Sequence, residues 1–266
     1  MNDTSISRRT FLAGAALLGA ALAVETAAAA ASPGRASAVR VRFHGTGFQP
    51  MTAVLRRGQT LWIDSLATQP LQLLSAPSAP QRIARYIGAG RAAALRLEVP
   101  GLYLLYDALS TRFDPAVQQV AARPGSRHFP LPAYAAVLVT DPDGGGVPLT
   151  GANVNIPDTS MTFQPWALVC RAGTAVRFTN SDMDAHVVLP VPVLGRGESA
   201  PFAALPLPAH GGSGTLRLER PGLYHYYCPL HARYRPKEYT LEPLRQFAGF
   251  PFVMDGLVAV VPPAPV

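Results

Sequence analysis

The sequence predicts an all-β chain built as two successive Greek-key β-sandwiches. Three observations lead there. The composition is apolar and turn-rich, with 23 Gly and 27 Pro among 266 residues and 15% charged side chains, which suits short strands joined by many turns. Alternating runs such as Val39-Arg-Val-Arg-Phe43, Leu61-Trp-Ile63 and Val176-Arg-Phe178 recur along the chain, and no stretch holds a long helical period. The chain also repeats itself. Residues 48–58 align with 163–173 at an offset of 115, with six of eleven positions identical; residues 95–113 align with 216–234 at an offset of 121, with eleven of nineteen identical. Two copies of one domain therefore follow each other, each the size of one sandwich.

The first element is not part of the fold. Ser7-Arg8-Arg9-Thr10-Phe11-Leu12 is a twin-arginine signature, followed by an apolar stretch from Ala13 to Val24 and small-residue cleavage sites near Ala31 or Ala38. Residues 1–38 thus read as a twin-arginine signal peptide and N-terminal tail. The apolar stretch is short for a membrane span, so cleavage is expected, with no stable membrane insertion afterwards. The expected location is the periplasm, or the medium beyond it.

Residues 39–140 form the first domain and 141–151, Asp-Pro-Asp-Gly-Gly-Gly-Val-Pro-Leu-Thr-Gly, a linker; residues 152–266 form the second domain. Each domain is expected to hold six to eight strands. The net charge of +7 comes from 22 Arg and one Lys against 16 acids. Its surplus lies in residues 39–140, where 11 Arg face Asp64, Glu98, Asp107 and Asp114. It has no basic run and no interleaved aromatics, which argues against nucleic-acid binding.

The chemistry concentrates in Gly222-Leu-Tyr-His-Tyr-Tyr-Cys228-Pro-Leu-His231. This is a strand running into a tight turn. Tyr224, Tyr226 and Cys228 fall on one face, His225 and Tyr227 on the other. Cys228 and His231 can reach a single point, which suits a thiophilic transition metal, copper above all if a second His and a thioether join them. A buried cysteine beside a surface histidine accounts for the same residues.

Upstream lies Asn180-Ser-Asp-Met-Asp-Ala-His186, a polar turn leading into an apolar run, and downstream Met254-Asp-Gly-Leu-Val-Ala-Val. An Asn-containing turn before a His, then Gly-x-Tyr-x-Tyr-x-Cys-x-x-His, then Met-x-Gly-x-Val-x-Val, resembles the plastocyanin-like cupredoxins over roughly residues 150 to 266. The resemblance implies a cupredoxin-like sandwich holding one type 1 copper ion, with His186, Cys228, His231 and axial Met254 as ligands. It departs from the small members in the 22 residues between His231 and Met254, where a short helix is expected over Glu242–Phe247.

The repeat acts as an internal control. Leu71, Asp107, Ser110 and Ala133 of the first copy stand opposite His186, Cys228, His231 and Met254. All four change while the Gly, Pro and Tyr framework stays, so the first copy is expected to be metal-free. Cys170 stands opposite Leu55 and reads as a small buried hydrophobe, neither ligand nor disulfide partner. His225, opposite Leu104, reads as a surface histidine, and His44, His128 and His210 as exposed turn residues. Tyr224, Tyr226, Phe250 and Phe252 are expected to supply an apolar shell around the site.

Two functions from different classes fit. One is a periplasmic carrier passing single electrons between redox partners. The other is a copper delivery or sensing protein working with copper-handling partners and without electron turnover. A copper nitrite reductase or oxidase needs further histidines, commonly as His-x-His or His-Cys-His, which this sequence lacks. The chain is therefore expected not to be an enzyme.

Overall fold

The computed structural model describes residues 38–143, 145–192 and 202–263. The twin-arginine segment and its cleavage sites before residue 38 lie outside the described residues. Every regular element among those described is a strand, and none is a helix long and apolar enough to cross a membrane.

In the first half the strands are β1 (Val39–Phe43), β2 (Phe48–Gln49), β3 (Thr52–Arg56), β4 (Thr60–Ser65), β5 (Leu71–Ser75) and β6 (Ala84–Ile87). They continue with β7 (Ala92–Arg96), β8 (Gly101–Asp107), β9 (Thr111–Asp114), β10 (Gln119–Ala122) and β11 (Tyr134–Thr140). The second half has β12 (Asn153–Ile156), β13 (Ala167–Arg171), β14 (Ala175–Asn180), β15 (His186–Pro190) and β16 (Leu205–Leu207). It ends with β17 (Ser213–Arg217), β18 (Gly222–Tyr227), β19 (Ala232–Arg235), β20 (Thr240–Pro243) and β21 (Asp255–Val261). Each half exceeds the six to eight strands expected, because the longer connections themselves pair into short hairpins.

The first half stacks a sheet of order β2-β1-β4-β7 on one of order β3-β11-β8-β5-β6. The second half stacks β12-β14-β17 on β13-β21-β18-β15-β16. In both, the returning last strand lies parallel to the strand that opens its sheet, β11 beside β3 and β21 beside β13. The fold is all-β, a pair of β-sandwiches, as the composition and alternation predict.

Alternation explains the layering. In β8, Tyr103 and Leu105 face the first core with Val41, Phe43 and Ile63, while Leu104 and Tyr106 face away. In β21, Val258 and Val260 join Cys170, Phe178 and Tyr226 in the second core, while Leu257, Ala259 and Val261 face away. The faces turned away are not solvated. Leu104, Tyr106, Ala136 and Leu138 of the first half pack with Trp166, Leu223, Leu257 and Ala259 of the second. Strands β8, β11, β18 and β21 are consequently buried on both faces, which is why they read as continuous apolar runs.

That interface corrects the reading of His225, which is only 8% exposed. Its Nε2 lies 2.7 Å from Asp255 Oδ2, to which Tyr134 donates at 2.6 Å; Trp166 Nε1 donates to Oδ1 at 3.1 Å. Burial, with the Asp255 charge beside it, pushes the Tyr134 hydroxyl well above its usual range, so it remains a donor. The physical reason for the misreading is that the outward face of β18 meets another sheet instead of water.

The connections after β8 and β18 also reach across. The helix expected over Glu242–Phe247 is absent; Ala232–Arg235 and Thr240–Pro243 pair as an antiparallel hairpin instead. From it, Thr240 Oγ1 donates to the Pro132 carbonyl at 2.6 Å, and the Glu238 carbonyl accepts from Thr46 Oγ1 at 2.9 Å. Phe250 and Phe252, expected around the site, sit at this junction: Phe250 meets Phe129 edge-on at 5.5 Å, and Arg112 lies 5.3 Å over Phe252. Between the halves, β11 ends at Thr140 and β12 begins at Asn153. Val147 of the intervening segment is buried in the shared interface.

Candidate metal centre

Two turns and one strand end build the site. Cys228 directly follows β18; it is fully buried and belongs to the second core. Its backbone N–H donates to the Met254 carbonyl at 2.9 Å, and its own carbonyl accepts from His231 N–H at 3.1 Å and Ala232 N–H at 2.9 Å. Pro229 and Leu230 thus bulge outward, and His231 folds back over the thiol. His186 opens β15, delivered by the turn that Asn180 organises: its Nδ2 donates to the carbonyls of Asp184, Leu207 and Pro208 at 2.7, 3.2 and 3.0 Å.

The outcome is a cluster of three buried donors, from His186, Cys228 and His231, whose ligand atoms lie within 4.8 Å of one another. Nδ1 of His231 is 3.3 Å from Sγ, and Nδ1 of His186 is 3.8 Å from it. Val187 N–H points at the same sulfur from 3.4 Å. Met254 is buried in the apolar cluster that contains Cys228 and is tied to it through the backbone bond. The structure therefore gathers three of the four residues singled out as one donor set and holds the fourth beside the cysteine.

Two residues that sequence reasoning passed over complete the surroundings. Asp182, itself buried, has Oδ2 3.0 Å from His186 Nε2. Burial pushes this carboxyl up, but the His186 hydrogen bond and the N–H groups of Met183 and Thr159 outweigh that and hold it below its usual range. An ionised carboxylate only accepts, so His186 donates to it from Nε2, and this bond sets the ring with Nδ1 toward the sulfur. Phe247 covers His231 edge-on at 4.2 Å. The repeat comparison, extended to these positions, would have found both, since they stand opposite Ala67 and Ser126.

Electrostatics favour uncharged donors. Burial lowers the His231 pKa to about 4, helped by the nearby His186 ring, so this imidazole is neutral at neutral pH. Burial pushes the Cys228 thiol up, partly opposed by the N–H groups of Val187, Leu230 and His231. A metal would displace the thiol proton. The donor set fits a first-row thiophilic metal: metal–nitrogen and metal–sulfur bonds of about 2.0 and 2.3 Å meeting near 120° separate N and S by about 3.7 Å, close to the two distances found. One soft sulfur, two imidazoles and a neighbouring thioether are the set that suits copper.

The first half shows what these positions become without such donors. Asp107 accepts Ser110 Oγ at 2.6 Å and the N–H groups of Gln72, Leu109 and Ser110 at 3.1–3.2 Å. Its carboxylate takes the Gln72 N–H where Cys228 sulfur takes that of Val187. Cys170 and Cys228 are both free and buried. His210 is exposed, whereas His44 and His128 are half-buried rather than exposed, because the turns carrying them fold over a cavity.

No family model matches the chain, and no curated protein matches it. Solved structures do. A purple cupredoxin from Nitrosopumilus maritimus matches at 22% identity, covering 41% of this chain and 99% of its own, with a TM-score of 0.28. An amicyanin variant in the reduced state matches at 12% identity over 40% of this chain and 86% of its own, TM-score 0.29. A copper-containing nitrite reductase from Thermus scotoductus SA-01 matches at 15% identity over 86% of this chain and 69% of its own, TM-score 0.28. This last match overturns the expectation that the chain is not an enzyme. A copper enzyme aligns with most of the chain, and the exclusion drawn from the missing His-x-His and His-Cys-His patterns is withdrawn.

Proposed function

We propose that the second sandwich holds one type 1 copper ion at His186, Cys228 and His231 with Met254 as axial ligand, and that the protein passes single electrons to and from a redox protein in the periplasm. The observation that carries this reading is the convergence of two imidazole Nδ1 atoms on one buried thiol. The bound ion would supply a one-electron couple. The chain's residues supply the rest. The rigid sandwich fixes the donors so that little moves between oxidation states, and the His186–Asp182 bond fixes one ring's orientation. Tyr226 and Phe247 keep water away. A partner's approach is served by Met183 and Leu230, exposed at 64% and 46%, three residues before His186 and one before His231. Twin-arginine export of a folded, metal-loaded chain accords with this location.

Copper(II) added to the purified metal-free protein tests the reading. One equivalent should bind with intense thiolate-to-copper absorption in the visible, and Cys228→Ser should abolish the colour, since a hydroxyl does not replace a thiolate. Met254→Ala should keep the colour but shift the reduction potential and band ratio. An uncoloured wild-type protein would overturn the copper assignment. Retained colour in Cys228→Ser would overturn the ligand set. Colour without electron exchange with a small redox protein would overturn the carrier role.

A further inference from the structure

In the first half, the end corresponding to the metal centre is hollow. A cavity of about 430 Å³ lies between the turn at His44, the 66–70 loop, the turn after Asp107 and the segment around Arg127. The backbone frame is the same in both halves. Asp107 N–H donates to the Ala133 carbonyl at 3.1 Å as Cys228 N–H does to Met254, and Arg123 N–H donates to the Ser110 carbonyl at 2.8 Å as Leu244 N–H does to His231 at 2.9 Å. The side chains differ. Ser126 replaces Phe247, Ser110 replaces His231 and Ala67 replaces Asp182. Smaller groups on an unchanged frame leave space.

The polar atoms around this space select its occupant. Asp107 is saturated by four donors and offers nothing to a cation. Among the described residues, no His, Cys, Asp or Glu cluster outside the second half could hold a metal ion. Two buried atoms of the lining residues lack any hydrogen-bond partner: His44 Nε2 and Ser126 Oγ. Arg127, also lining, enters no ion pair among the described residues. The unused donors are thus a guanidinium and a hydroxyl, a pair that donates to an anion. Leu66 and Leu109, exposed at 56% and 47%, add apolar surface to the same lining. The volume and that apolar wall exceed what a bare inorganic ion fills.

We propose that this cavity binds a small organic monocarboxylate, its carboxylate held by Arg127 and Ser126 and its apolar body against Leu66 and Leu109. The site is separate from the copper reading and does not depend on it.

Calorimetric titration of the intact protein with benzoate tests it, with benzamide as the neutral isostere and sulfate as the bare anion. Benzoate should bind once per chain and benzamide roughly tenfold more weakly or worse, the factor expected for losing a charge-assisted bond. Arg127→Gln should weaken benzoate by a similar factor. Ser126→Phe, which installs the residue of the other half, should abolish binding; circular dichroism and an unchanged denaturation midpoint would report its folding. Absence of benzoate binding, equal affinity for benzamide, or binding that survives either substitution would overturn the proposal. Sulfate binding as tightly as benzoate would overturn the role given to the apolar wall.

Discussion

At the scale of single residues, His231 and Asp182 set the chemistry of the cluster in opposite ways. The folded-state pKa of His231, about 4, lies below the 6.5 of a free histidine. Between those values the unfolded chain binds the extra proton. The metal-free protein should therefore be fully stable with respect to this group above pH 6.5 and lose stability as pH falls toward 4, by about 3 kcal/mol at the end of that window. Denaturant melts of metal-free protein between pH 7 and 4.5 check this, and His231→Gln should flatten the slope. Asp182 acts through His186. Asp182→Ala should lower metal affinity by roughly 10–100-fold, read by competition with a chelator, because the ring loses the partner that holds its tautomer and orientation. Unchanged affinity in that variant would show that core packing alone orients His186.

Elements decide where those residues can stand. The turn after β8 is built around Asp107, whose carboxylate gathers three backbone N–H groups and the Ser110 hydroxyl. Asp107→Ala leaves those donors unpaired in a buried turn, and a loss of about 2–3 kcal/mol is expected in chemical denaturation. The hairpin β19–β20 shows close approach as a second constraint. A methyl group on Gly47 would run into the Tyr239 backbone carbonyl at the hairpin tip, where the Tyr239 ring also packs on His44 at 4.4 Å. Gly47→Ala should displace the tip and cost about 1–3 kcal/mol, as overpacking does.

For the whole molecule, the shared interface dominates. The two five-stranded sheets meet through large apolar side chains, each contributing about 1.5–3 kcal/mol when fully buried, and through the Asp255 cluster with Tyr134, His225 and Trp166. Two halves joined so extensively should unfold together. Scanning calorimetry of the intact protein is expected to show one transition, and two separated transitions would contradict it. Tyr134→Phe removes one donor from a buried carboxylate and should lower stability by about 1–3 kcal/mol.

Alternation and turn composition are enough to specify the all-β architecture, and the changes at their counterparts mark Cys228, His231, His186 and Met254. Local rules suffice for the strands and for the Cys-Pro-Leu-His turn, which neighbours along the chain decide, whereas His186 and Met254 stand out only through the family resemblance and the repeat. Some errors came from contacts between residues far apart. The alternation of β18 alone places His225 on a surface face, though the unbroken apolar runs of β11 and β21 signal burial on both sides. The stretch after His231 suggests a helix at Glu242–Phe247, yet part of it pairs as a hairpin whose tip is anchored at Thr46, 192 residues before Glu238. The carboxylate on His186, the ring over His231 and the hollow at the first half's ligand positions depend on how turns from separate strands converge. Only tertiary structure decided them, because each is a distance between side chains that no local propensity sets.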